Sequence, residues 1–172
     1  MTRDRTAKAK TDLTGGTLAN LLSATQKDSS TIGLDADPLG DFAITTLPQW
    51  CDEKPWFHIE ADGSWLYQQD TLPMKFARMF SGVLYCLDGE YQLITPAERV
   101  RVSVAEVPLL LVDYRFNDEA FTVTTSLETE FTVPKKAVVC QEDRIVFHLP
   151  RGLSGKLNRA CYYRFINDFV LA

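Results

Sequence analysis

The sequence is short of the residues from which catalytic and metal sites are usually built. Its 172 residues include two histidines, His58 and His148, and four cysteines, Cys51, Cys86, Cys140 and Cys161. The cysteines lie far apart with no C-x-x-C pair, so the common zinc-binding spacings are absent. Each has apolar neighbours, and a buried, reduced thiol is expected at all four. A serine or cysteine nucleophile would need one of the two histidines as its base. Both histidines sit between large apolar residues on expected strands, without a G-x-S-x-G elbow nearby, and read as packed or edge-exposed side chains. "LSGK" (Leu153 to Lys156) lacks the preceding glycine-rich loop of a phosphate-binding loop. No apolar run approaches the roughly 18 residues of a membrane helix. The basic start "MTRDRTAKAK" is followed by no apolar stretch, so no secretory signal is expected and the chain is placed in the cytoplasm. Positive charge is also lacking. A net charge of −5 and a pI near 5.0 argue against bulk nucleic-acid binding, although a local basic patch stays open.

Apolar residues are not lacking. With 45% hydrophobic and 11% aromatic residues the chain can bury a core, as one domain or as two small subdomains sharing one. Residues 1–46 are polar and read as a largely flexible tail with one short helix at "LANLLSAT". Residues 47–90 read as a hairpin–helix subdomain. "WFHIEADGSWLYQQD" alternates on either side of Asp62-Gly63, a turn pair. "TLPMKFARMFSGVLY" predicts a helix with Thr71 as its cap, Pro73 in its first turn, and Phe76, Met79, Phe80, Val83 and Leu84 as its apolar stripe.

Residues 91–172 read as an antiparallel strand domain closed by a C-terminal helix. "RVRVSVA" alternates, with valines on one face and Arg99, Arg101 and Ser103 on the other. "VPLLLVDYRF" begins as a continuous apolar run, as a strand covered on both faces would. "AFTVTTSLETEFTV" and "AVVCQEDRIVFHL" predict further hairpins, the second turning near Glu142-Asp143, and a helix is expected from about Ser154 to Val170. Phe-His-Ile at 57–59 and Phe-His-Leu at 147–149 form a weak internal echo that a duplicated strand–helix unit would explain. The expected class is α+β.

Three blocks carry a family resemblance. Asp62, Gly63, Ser64, Trp65 and Tyr67 match D-G-(S/T)-W-x-Y. Thr95, Pro96, Glu98, Val102, Val104 and Val107-Pro108 match T-P-x-E-x-x-x-(I/V)-x-V-x-x-(A/V)-P. Gly152, Leu153, Arg159, Tyr162 and Tyr163 match G-L-x-x-x-x-x-R-x-x-(Y/F)-Y. From about Trp56 to its end the chain therefore resembles the bacterial domain of unknown function 1285 family. It departs from the pattern at Ala105-Glu106, where relatives often have Glu-Asp, and at Arg151, where many have Gly. The resemblance implies a duplicated core, a C-terminal part like a pleckstrin-homology fold, and a cleft between the halves suited to a nucleotide-like or other small ligand. It supplies no reaction.

Thr95-Pro96-Ala97-Glu98 has capping-box spacing, but the alternation after it cannot continue a helix. Thr95, Pro96 and Glu98 are expected to form one tight turn in which Thr95 and Glu98 tie down backbone N–H groups, with Gly152 as a second structural point. The ligand-binding candidates are Arg99, Arg101, Arg151 and Arg159, whose guanidinium groups suit phosphate or carboxylate, with Trp65 and Tyr67 as stacking faces. The alternative is that these arginines are solvated or paired with acids, with Arg159 bonding Glu98. A carboxylate pair, Glu98 with Asp113, is the remaining acid–base option. The reading is a non-enzymatic protein with no cofactor or metal. It binds a small anionic, nucleotide-like ligand in a regulatory role, or else serves as a protein-interaction module.

Overall fold

The computed structural model describes residues 47–172. The tail over 1–46, with its short helix, lies outside the described residues. The first sheet contains β1 (Phe57–Ile59), β2 (Trp65–Tyr67), β3 (Asp70–Thr71), β4 (Leu84–Leu87), β5 (Glu90–Ile94) and β6 (Arg99–Val104). Helix α1 (Met74–Ser81) joins β3 to β4. The second sheet contains β7 (Leu109–Phe116), β8 (Ala120–Thr125), β9 (Glu130–Pro134), β10 (Val138–Cys140), β11 (Ile145–His148) and β12 (Ser154–Leu157). Helix α2 (Arg159–Phe165) follows and widens into a π-helical turn over Ile166–Val170.

The two sheets repeat one topology. Read from the β4 edge, the first runs β4-β5-β6-β1-β2-β3, and the second runs β10-β11-β12-β7-β8-β9. Each centres on a parallel pair, β1 with β6 and β7 with β12. The bond that closes the pair recurs: Ala105 N–H donates to Ile59 O and Asn158 N–H to Leu111 O. The 3₁₀ turn Lys135–Ala137 takes the place of α1 in the second copy. The mixed α+β class holds, but the strand domain is not antiparallel throughout. The Phe-His echo does not mark the repeat, because β1 corresponds to β7 whereas Phe147 and His148 lie on β11. The strands change sheet between Val104 and Leu109, beyond the 90/91 boundary expected for the subdomains.

Alternation explains the strands. Phe57, Ile59, Val100 and Val102 turn inward from the first sheet, as Leu109, Leu111, Phe121 and Val123 do from the second, into one continuous apolar core. Burying each large side chain contributes about 1.5–3 kcal/mol. The second sheet's core is an aromatic stack in which Phe121 meets Phe147, Phe165 and Phe169 at centroid distances of 5.4–5.8 Å.

Several local expectations change. Thr71 pairs with Leu66 in β3 and does not cap α1, whose N-cap is Pro73, without a side-chain bond. The helix ends at Ser81, so Val83 and Leu84 are buried beyond it and Ala77 joins Phe80 on its core face. Ser154–Leu157 is strand, not helix. Gly155 lets β12 lie on Leu111, whose Cδ2 would be 2.8 Å from any β-carbon there, and Asn158 starts α2 by accepting from Cys161 N–H at 2.9 Å. Strand β7 is covered on one face only, with Val112 38% exposed. Cys140, on the edge strand β10, is exposed, and Cys51 and Cys86 are half-buried. Only Cys161 is fully buried.

Candidate functional site

A cleft of about 720 Å³ opens where the two sheets meet. The first sheet supplies Ala61, held there by the β1–β2 turn. Gly63 adopts φ +87° and packs so closely that a β-carbon would lie 3.1 Å from Leu110 Cβ and from Ser126 Oγ. Glu106 reaches the cleft from the link between β6 and β7, and Asp143 and Arg144 from the β10–β11 turn. Lys156 comes from β12, and Arg159, Tyr162 and Tyr163 from α2. Three cations thus face two carboxylates.

The charges are unevenly matched. Lys156 Nζ donates to Glu106 Oε2 at 2.5 Å, and Arg144 Nη1 lies 3.9 Å from the same carboxylate. Arg144 also donates from Nε to Gln141 at 2.6 Å. The hydrogen bond from Lys156, then its charge, holds the Glu106 carboxyl below the usual carboxylate range, with Arg144 adding to the effect. Among the described residues Arg159 makes no hydrogen bond or ion pair. Its guanidinium carbon lies 5.9 Å from the Tyr163 ring centre, and Tyr162 and Tyr163 meet edge-on at 5.5 Å. No serine, cysteine or histidine among the described residues lines the cleft. Among the described residues no three histidine, cysteine or acidic side chains gather as metal ligands.

Of the six expected ligand-binding residues, Arg159 alone lines the cleft. Arg99 and Arg101 share the outer face of β6, as expected, but both lie against Trp50, each guanidinium carbon 3.9 Å from an indole ring centre. Arg101 also donates to Glu90 at 2.8 Å. Arg151 caps α1, donating to Ser81 O at 3.1 Å and Gly82 O at 2.6 Å. Trp65 is 1% exposed and faces Phe57, so it offers no ring to a ligand. Tyr67 is half-buried with its ring 5.0 Å from that of Phe57.

The turn at Thr95 forms as expected for threonine but not for glutamate. Thr95 Oγ1 donates to Glu98 O at 3.1 Å and accepts from Glu98 N–H at 3.3 Å, while Thr95 N–H donates to Glu98 O at 3.0 Å. Glu98 Oε1 is buried without a partner among the described residues, so the capping box is one-sided. Glu98 bonds neither Arg159 nor Asp113, whose carboxylate accepts from Arg164 at 2.6 Å. His58 Nδ1 meets Ser103 Oγ at 3.0 Å, and His148 is exposed.

Of the charged and aromatic residues that line the cleft, sequence reasoning passed over Glu106, Asp143, Arg144, Lys156, Tyr162 and Tyr163 as site residues. Lys156 had a signal in its alternation with the buried Gly155 and Leu157 along β12, which throws its side chain to the outer face.

The fold and the cleft define a two-sheet α+β protein of repeated topology with a polar site at the seam of the repeats. Residues 47–107 match the family model described as "Domain of unknown function (DUF1285), N-terminal domain", a span ending where the strands change sheet. A DUF1285 family protein from Shewanella baltica OS155 has a similar crystal structure, with 46% sequence identity and a TM-score of 0.65, covering 70% of this chain and 97% of that one. A second DUF1285 family structure, from Silicibacter pomeroyi DSS-3, superposes with a TM-score of 0.65 over 86% of this chain and 82% of its own; at 19% identity it speaks to the fold alone. No functionally curated protein matches the chain. The chain belongs to the DUF1285 family.

Proposed function

We propose that this protein is a non-enzymatic, cytoplasmic binding protein whose seam cleft takes a small anionic, nucleotide-like ligand in a regulatory role. The observation that carries the reading is Arg159, a guanidinium on the cleft wall with no hydrogen-bond or ion-pair partner among the described residues, beside Lys156 and Arg144. A guanidinium can grip a phosphate or carboxylate through two N–H groups, and Tyr162 and Tyr163 give a planar ligand an aromatic neighbour. Among the described residues the cleft lining holds no serine, cysteine or histidine nucleophile, which favours binding over acyl or phosphoryl transfer through a covalent intermediate. No described helix is long and apolar enough to cross a membrane. The pleckstrin-homology likeness of the C-terminal part belongs to the same proposal and is supported by α2, whose Cys161 and Phe165 close the second sheet.

The test is native mass spectrometry and thermal shift against nucleoside mono-, di- and triphosphates and the parent nucleosides. Phosphorylated ligands should stabilise the protein, and Arg159→Ala should weaken them about tenfold. No adduct and no shift with any of them would end the small-ligand reading.

A second reading, a protein-interaction module, is favoured by the apolar surface of the last helical segment, where Tyr163 and Val170 are each 53% exposed and Leu171 73%. Loss of partner capture in Tyr163→Ala, with no nucleotide effect in the parent protein, would support it.

A further inference from the structure

Glu106 stands in the cleft where a ligand's anionic group would go. It already makes the contacts that such a group would make, accepting from Lys156 Nζ at 2.5 Å with Arg144 Nη1 3.9 Å away. The Lys156 side chain is only 18% exposed, against 41% for Glu106, so the cation is fixed in the wall and the carboxylate lies over it from outside. Glu106 also has freedom to leave. Its neighbours are anchored on both sides, Ala105 by its N–H bond to Ile59 O and Pro108 by burial, while Glu106 itself is exposed. Its departure therefore needs a side-chain swing over one short link.

An entering anion must compete with this tethered carboxylate, whose effective concentration at Lys156 is high because it is part of the same chain. A monoanion exchanges one negative charge for another and gains little. A phosphomonoester carries about −1.5 to −2 at pH 7, and its further charge and oxygens can engage Arg159, which no acid among the described residues neutralises. We infer that Glu106 is an internal surrogate for the ligand's anion, which every anion entering the cleft must displace, and that Arg159 then favours phosphomonoesters over singly charged phosphodiesters and carboxylates. The inference rests on the seam cleft being the binding site and adds the rule that governs entry.

The experiment is isothermal titration at fixed ionic strength of AMP, the singly charged methyl ester of AMP, and adenosine. Each is titrated against the parent protein, Glu106→Gln and Arg159→Ala. The parent should bind AMP about tenfold or more tighter than the methyl ester. Glu106→Gln should tighten AMP and the methyl ester alike, each about tenfold, whereas Arg159→Ala should narrow the gap between them. Binding seen only in Glu106→Gln would also support the surrogate, as a lock that the parent does not open for these probes. Unchanged or weaker binding of both anions in Glu106→Gln would overturn it. If Arg159→Ala weakens AMP while Glu106→Gln changes nothing, the cleft reading stands and the surrogate falls. If none of the three proteins binds any probe, the cleft reading itself fails.

Discussion

Gly152 packs directly on the backbone carbonyl of Cys86, and this contact joins the β11–β12 turn of the second repeat to β4 of the first. A β-carbon at 152 would run into the Cys86 oxygen, and the residue also adopts φ +71°. Gly152→Ala therefore meets a steric and a conformational penalty together, for a loss of roughly 2–4 kcal/mol. Gly89 is the control. It adopts φ +80° with nothing near its would-be β-carbon, so Gly89→Ala should cost only about 1 kcal/mol. Urea unfolding of the two variants separates the terms, and equal losses would show that the seam tolerates the extra atom.

The Thr95 turn gives a prediction that splits its two expected anchors. Thr95 is 1% exposed, and its hydroxyl both donates to and accepts from the backbone of Glu98. Thr95→Val leaves the Glu98 N–H without this acceptor and the Glu98 carbonyl with only its bond from the Thr95 N–H, and should cost about 1–2 kcal/mol. Glu98→Gln removes only a carboxylate whose buried oxygen has no partner among the described residues, so its effect should stay within about 0.5 kcal/mol or be stabilising. A large loss in Glu98→Gln would mean that the carboxylate holds the turn after all.

That division tracks what the sequence made legible. Period-two alternation disclosed the strands and the inward faces of β6 and β8, because burial on one face imprints directly on residue type. The repeat was hidden, since it lives in strand order and parallel pairing, which leave no fixed residue spacing. Gly155 and Asn158 decided where α2 begins, and both needed the packing partner Leu111 to be understood. At the site, Arg159 was legible as a cleft arginine. Arg99, Arg101 and Arg151 were legible only as arginines, because whether a guanidinium meets a ligand, an indole or a helix end depends on residues far along the chain.

The Trp50 contact with Arg99 and Arg101 yields the next prediction. The indole lies against both guanidinium groups, and the backbone around it pairs with β6 through Cys51 N–H to Arg99 O at 2.9 Å and Arg99 N–H to Gln49 O at 3.2 Å. Trp50→Ala removes the ring that both arginines cover and should destabilise the fold by about 1–3 kcal/mol. It should also raise amide exchange at Cys51 and Arg99 more than at β7. If the two arginines instead serve the ligand, Arg101→Ala should impair nucleotide binding as much as Arg159→Ala does. The structure predicts that Arg101→Ala leaves binding within about twofold and changes only stability, as expected for a side chain outside the cleft.

The ion pair of Asp113 and Arg164 predicts a pH dependence. The hydrogen bond from Arg164 is the main reason that the Asp113 carboxyl sits below its ordinary range. Burial opposes it, while the Tyr114 N–H and the charges of Arg164 and Arg115 assist. A carboxyl lowered on folding binds fewer protons in the native state than in the unfolded chain. Its stabilisation is therefore complete above the unfolded value of about 3.9 and is lost as pH falls through the native value. Both side chains are about half-exposed, 54% and 46%, so the pair should be worth less than about 1 kcal/mol. Asp113→Asn should be slightly less stable than the parent at pH 7, and the difference should close as the pH falls towards about 2. Unfolding curves across that range check the sign. A deficit that stays constant to the lowest pH would show that Asp113 acts through packing and its bond to the Tyr114 N–H, not through charge.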